Sequence, residues 1–287
     1  MKPNDAFLNL PKNFWASVRL ISQQIGYTER STGQIKIPTS DDIQSKLTML
    51  EIDFSKLQIQ KTAKGNFWKI MQDYFVYRAD VINTFVEPHL MNVAEARKIF
   101  EETHKSLRPS CPIPLNKQKG EMRTPAYLTG LVNMIVETNA SGLQCDYDLH
   151  QLTIITKDKL PLRTLARRVD GAFPHSVNPI AIWEIKEYYY TTTFGSRVAD
   201  GIYESLLDGL ELEELRENED IQIKHYLIVD AHDTWWKQGK SYLCRIVDML
   251  HMGYIDEVLF GREVIERLPA LVKDWVKIYQ IRAANQQ

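Results

Sequence analysis

Apolar residues recur at helical spacing through the first third of the chain. Phe14, Val18, Ile21 and Ile25 follow one another at intervals of four, three and four before Gly26 closes the pattern, which predicts an amphipathic helix. Ser40-Asp41-Asp42 caps a second helix bearing Ile43, Leu47 and Leu50, and a third, long helix runs from Phe67 through Ile70, Met71, Tyr74 and Phe75 toward Phe85. The segment NVAE at 92–95 has the form of a capping box and opens a fourth, with Ile99 and Phe100 on its buried side.

The pattern then changes. Pro109, Pro112, Pro114 and Pro125 crowd one stretch and forbid regular helix there. Beyond it the spacing predicts a helix over 125–139, strands over 150–158, 163–173 and 180–190, and a helix over 196–218 with Val198, Ile202, Leu206, Leu210 and Leu212 inward. A buried strand (224–231), a helix (240–253), a strand (255–261) and a closing helix (269–283) complete the chain. This predicts an α/β domain with a central mixed sheet over 126–287. A proline-rich linker at 109–125 joins it to a mostly helical domain over 1–108.

Charge narrows the possible partners. With 35 Lys+Arg against 37 Asp+Glu the chain is nearly neutral, which excludes a wholly electrostatic grip on nucleic acid but leaves room for a local basic face. No run reaches the roughly 18 apolar residues of a membrane span, and the first thirty residues lack a basic-then-apolar leader, so a cytoplasmic protein without a membrane partner is expected. Cys111, Cys145 and Cys244 lie far apart with no CxxC spacing, which points away from zinc and disulfide frameworks.

One strand carries chemistry. Within IAIWEIKEYYY (180–190), Glu184 and Lys186 project from one face while Trp183, Ile185 and Glu187 take the other. Asp170 ends the preceding strand, and the short connection after it returns the chain as an antiparallel neighbour, bringing a second carboxylate alongside. An ExK triplet arises about once by chance in a chain of this length, so its weight comes from its place in an apolar strand, where an unpaired ion is costly. Paired carboxylates without histidine or thiolate suit Mg²⁺, with Mn²⁺ as a substitute. Lys186 would hold or help deprotonate a water and add positive charge beside a phosphate, which together describe phosphodiester hydrolysis.

The residues VD (169–170), thirteen intervening residues and EIK (184–186), on a helix-strand-strand-strand-helix-strand order, resemble the PD-(D/E)xK nuclease superfamily and, within it, type II restriction endonucleases. The likeness covers roughly residues 125–231, and Val169 stands where the family often has proline. It implies a restriction-endonuclease-like core in which Asp170 and Glu184 bind Mg²⁺, the Ile185 carbonyl completes the coordination, Lys186 positions the water, and Glu137 joins from the helix before the sheet. It further implies sequence-specific cleavage of double-stranded DNA, with the helical domain over 1–108 contributing DNA recognition or dimer contacts, by a homodimer because a symmetric site needs two centres, beside a cognate DNA methyltransferase. Two other readings stay open: a repair or phage-defence nuclease without a fixed site, and a catalytically inactive DNA-binding module of the same fold.

DNA contacts are expected from several polar segments. Arg30, Gln34 and Lys36 sit in a polar loop able to reach base edges, and Lys61 and Lys64 precede Phe67 and Trp68 in a basic and aromatic stretch. Lys117, Lys119 and Arg123 could track a backbone, as could Tyr190 and Arg197 after the chemical strand.

Overall fold

In the N-terminal region the helical pattern becomes α1 (Lys12–Ile25), α2 (Ser40–Met49), α3 (Phe54–Ile59) and α4 (Phe67–Val81), with a small hairpin, β1 (Lys61–Thr62) and β2 (Gly65–Asn66), before α4. The computed structural model describes residues 1–116, 124–190 and 195–284, with the backbone alone at Ser196 and Arg197. The cap of α2 is Thr39 rather than Ser40: its hydroxyl accepts from the Asp42 amide at 3.2 Å while the Asp42 carboxylate accepts from the Thr39 amide. Leu50 consequently falls past the helix end and is exposed. Phe14, Val18, Ile21, Ile43, Leu47, Phe67 and Tyr74 fill one core between these helices. From α4 the chain continues through a π-helical turn (Ile82–Val86) into the short α5 (Glu87–His89).

The predicted capping box opens α6 (Val93–Leu107): Asn92 accepts from the Ala94 and Glu95 amides at 2.9 and 3.0 Å, and Glu95 accepts from the Asn92 amide at 2.9 Å. Next come α7 (Tyr127–Asn139), β3 (Asp146–Tyr147), β4 (Ile154–Lys157), β5 (Leu160–Thr164), β6 (Gly171–Phe173) and β7 (Ala181–Glu187). The chain ends with α8 (Ser196–Glu219), β8 (Lys224–Asp230), α9 (Lys240–His251), β9 (Glu257–Phe260) and α10 (Glu263–Ala284). The fold is α/β with a mixed five-stranded sheet of order β3-β6-β7-β8-β9, antiparallel up to β7 and parallel beyond it. One face, through Phe173, Trp183, Ile228 and Leu259, meets α7 and α10; the other, through Leu227 and Val229, meets α8 and α9. Covering both faces is what lets the inner strand β8 run apolar over Tyr226–Val229.

Two expected strands differ. The segment 150–158 is extended only as β4, which pairs with β5 in a hairpin apart from the main sheet. The segment 163–173 is not one strand, because the amides between β5 and β6 are taken elsewhere: Leu165 donates to the Thr153 carbonyl at 2.9 Å and Ala166 to the Glu211 carboxylate of α8 at 3.1 Å. The stripe of α8 also turns relative to expectation. Val198, Ile202, Ser205, Asp208, Leu212 and Leu215 are buried, whereas Leu210 is exposed.

The expected break after residue 108 falls inside a packed unit. Met91, Ala96 and Phe100 share a core with Leu128 and Leu131 of α7, and a Cβ on Gly130 would come within 2.5 Å of the Phe100 ring, so α6 and α7 cross at close range. The described part of the proline stretch runs along α7, with Asn133 donating to the Pro112 carbonyl at 2.9 Å. The helical layers meet across a buried ion pair. Arg78 of α4, 1% exposed, lies 3.0 Å from Asp248 of α9, which also accepts from the Tyr74 hydroxyl at 2.6 Å. Among the described residues no helix is long and apolar enough to cross a membrane.

Glu187, at the end of β7, supplies the cap that Ala126 cannot give α7: its carboxylate accepts from the Thr129 amide at 3.0 Å and hydroxyl at 3.1 Å. Burial still pushes its carboxyl from the ordinary 4.5 up to about 7, against the pull of those donors. A folded-state value above the unfolded one means stability that is full below pH 4.5 and is lost as pH rises through 7. In Glu187→Gln, thermal unfolding between pH 5 and 8 should therefore show a flatter decline than the parent; parallel curves would refute the assignment. Arg78→Met strands the Asp248 charge and should cost about 3–5 kcal/mol in urea unfolding, part of it recovered by adding Asp248→Asn.

Candidate active site

Antiparallel register brings the chemical residues together. Gly171 pairs with Trp183 and the Asp170 amide donates to the Trp183 carbonyl at 3.1 Å, so Asp170 arrives opposite Glu184. The pairing depends on glycine at 171, since a Cβ there would stand 2.1 Å from the Trp183 indole, which lies across the pair and stacks on Trp275. Asp170 then accepts from the Ile185 amide at 2.7 Å, between the two charged residues of β7.

Glu184 is fully buried and lies among cations. Lys186 donates to its Oε2 at 2.7 Å, and Arg167, from the crossing between β5 and β6, reaches it with Nη2 at 3.1 Å and Nη1 at 2.8 Å. Helix α8 adds two more carboxylates. Glu204 takes a bond from Lys186 at 2.6 Å, and the buried Asp208 takes one from Arg167 at 2.7 Å. The helix approaches this closely because residue 201 is glycine: a Cβ there would meet the Tyr188 hydroxyl at 2.8 Å and the Lys186 side chain at 3.1 Å.

Charge sets the protonation states. Burial raises the Glu184 carboxyl, but Lys186 and Arg167 outweigh it and hold the group below the usual range. Burial would lower the Lys186 pKa, but Glu184 and Asp170 raise it well above the ordinary lysine value. Asp170 is exposed at the sheet edge, yet the protein around its carboxyl and then the Glu184 charge push it up to about 6. Asp208, desolvated and also facing Glu184, rises to about 7.

Four carboxylates thus face two cations, and two carboxylate oxygens, Glu184 Oε1 and Asp208 Oδ1, are buried without a hydrogen-bond donor; the 2.8 Å approach of Arg167 to Oε1 is off the bonding direction. Excess negative charge and an orphaned carboxylate oxygen fit a hard divalent cation. Among the described residues no group of three or more His, Cys, Asp or Glu side chains forms a ready-made metal cage, so the fit is to an ion that takes one or two carboxylates and keeps several waters.

Other predicted residues lie apart. Glu137 is not beside Glu184: its carboxylate accepts from the Ser110 amide at 3.0 Å and from the Ser110 hydroxyl, tethering the loop against α7 on the opposite face of the sheet. Tyr190 is half-buried on that same side. Phe67 and Trp68 are core residues, which removes the aromatic half of the basic stretch; Lys61 is exposed, while Lys64 is exposed and bonds the Asp5 carbonyl. Arg30 and Gln34 are exposed on the 27–36 loop, but Lys36 turns inward to the Ile25 carbonyl at 3.1 Å and Glu29 at 3.3 Å. Lys117, Lys119, Arg123 and the Arg197 side chain lie outside the described residues.

Arg167, Glu204 and Asp208 were not anticipated. Their signals were faint: an arginine three positions before Asp170, and two acids four apart on a helix with leucines in every turn. Arg167→Gln should destabilise the fold more at pH 8 than at pH 5, because Asp208 needs its cation only when ionised. Equal losses in melting temperature at both pH values would contradict this wiring.

A family model described as a domain of unknown function, DUF7687, matches residues 91–275. A second such model, DUF7690, matches residues 1–85, so the two meet just before α6. No curated protein and no solved structure matches the chain.

Proposed function

The chain belongs to the DUF7687 family, and we propose that it is a Mg²⁺-dependent endonuclease of double-stranded DNA with a restriction-endonuclease-like core. The observation that carries this reading is the meeting of Asp170, Glu184 and Lys186 beside the central strand β7, with a Glu184 oxygen that accepts no hydrogen bond from the described residues although Arg167 lies 2.8 Å away. Along the main sheet the order α7, β3, β6, β7, α8, β8 is compatible with it, with β3 in the place expected for 150–158 and the β4–β5 hairpin inserted before β6.

In this reading Asp170 and Glu184 hold Mg²⁺ together with the Ile185 carbonyl, and the Ile185 amide orients the Asp170 carboxylate. When bound, the ion lowers the pKa of a water and offsets charge on the phosphate under attack. Lys186 acts as a donor rather than a base. Its neighbours hold it protonated, so it orients the attacking water and contributes positive charge at the scissile phosphate. Glu204 and Arg167 fix that lysine and Glu184 from the helix and the crossing. Exposure of Asp170 leaves the edge open to a large substrate. Arg30, Gln34, Lys61 and Lys64 are the exposed candidates for DNA contact among the described residues. Site-specific cleavage by a homodimer, beside a companion DNA methyltransferase, is the form of activity that the resemblance implies.

Duplex DNA incubated with the full chain should be cut in Mg²⁺ and left intact with chelator. Glu184→Ala and Lys186→Ala should each slow cleavage by roughly a hundred-fold or more. Undiminished cutting by Glu184→Ala sinks the proposal, and DNA binding without cleavage in any divalent cation favours the inactive binding module. Discrete fragments distinguish a sequence-specific enzyme from a nuclease without a fixed site, which gives a smear.

A further inference from the structure

A cavity lies between α1, α8 and α9, where the region before residue 85 meets the rest of the fold. It measures about 340 Å³, at the lower end of the ~300–1,000 Å³ typical of small-molecule sites. Its floor is apolar, with Ile202, Leu206 and Met249 beneath and Met252 at the side. Arg19 and Arg245 line it together with Tyr27 and Tyr203.

The charges here are unusual for an apolar cavity. Among the described residues no carboxylate pairs with Arg19 or Arg245; Arg245 is held instead between the Tyr27 and Tyr242 rings, at 5.2 and 5.1 Å from their centroids, and donates to the Tyr203 hydroxyl at 3.3 Å. The one acid on the wall, Asp248, is already neutralised by Arg78 at 3.0 Å and by the Tyr74 hydroxyl. Two guanidinium groups with unspent donors fit the oxygens of a phosphate. Tyrosine faces and thioethers fit a flat heteroaromatic ring.

We propose that this cavity binds a single nucleotide unit, with the base on Tyr203 and the methionine surface and the phosphate on Arg19 and Arg245. The site is separate from Glu184 and does not depend on the nuclease reading. It adjoins that centre through α8, since Tyr203 precedes Glu204. One chemistry has two sources here: a free mononucleotide, or a nucleotide turned out of a DNA strand.

The test is isothermal titration calorimetry of the full chain in chelator with adenosine 5′-monophosphate and thymidine 5′-monophosphate, against the corresponding nucleosides and inorganic phosphate. At least one of the two nucleotides should bind, and its nucleoside and phosphate should each bind about ten-fold or more weakly. Arg19→Gln and Arg245→Gln should each cost about ten-fold in affinity, the loss of one charge-assisted hydrogen bond. Tyr203→Ala, at a residue 55% exposed and so harmless to folding, should weaken nucleoside and nucleotide alike. Competition by an oligothymidylate assigns the occupant to a strand, and its failure to compete assigns a free nucleotide; the proposal holds in either case. No binding by either mononucleotide, or binding indifferent to Arg19→Gln and Arg245→Gln, overturns it, whatever the cleavage assay shows.

Discussion

A carboxylate placed in the middle of a buried strand dictates the chemical half of this molecule. Removing an ion of that kind from water costs several kcal/mol even after the protein relaxes, so Glu184 cannot stand at 0% exposure without cations close by. Lys186 comes from the same strand face, but Arg167 must be brought in from outside the sheet. That requirement gives a physical reason for the chain to leave β5, cross as an unpaired segment and re-enter at β6. Arg167 and Lys186 in turn attract Glu204 and Asp208, which dock α8 along the same face.

The opposite face shows what happens where no cation is supplied. Glu187 lies on the same strand three residues later and is also withdrawn from water, yet its carboxyl is pushed up to about 7 while Glu184 is held low. Asp230, on the adjacent strand in register with Glu187, is likewise raised to about 7, although it accepts bonds from the Met91 and Ala231 amides at 2.7 and 2.8 Å and from the Tyr189 hydroxyl. Amide and hydroxyl dipoles bond Asp230 and one oxygen of Glu187 without fixing either acid as an ion. The sheet therefore carries one acid held ionised by adjacent cations, Glu184, and on its other face two acids, Glu187 and Asp230, that burial shifts up with no cation among the described residues beside them.

Much of this was legible from residue order. Period-two alternation placed Glu184 and Lys186 together, the short return from Asp170 fixed the antiparallel register, and the Asn92–Glu95 box marked the start of α6. What could not be read depends on tertiary partners. On α8 each turn carries a leucine, so periodicity alone could not tell that Leu210 faces solvent while Asp208 is buried. Phe67 and Trp68 had the letters of a binding stretch, and only packing shows them in a core. Glu137 sits at the expected helix but on the wrong face of the sheet, a distinction no linear spacing encodes. Prolines at 109–114 forbade helix there without implying freedom, since neighbouring backbone and side chains tie that segment to α7.

The seam closed by Arg78 and Asp248 bears on how such chains can be recombined. Each residue lies in a different family-matched segment, and each is buried with the other as its charge partner. A chimera that joins residues 1–85 of this chain to a second segment without an acid at position 248 leaves the Arg78 ion stranded. The two sites therefore form a compatibility code, and segment swaps between relatives are safest when that pair is treated as one unit.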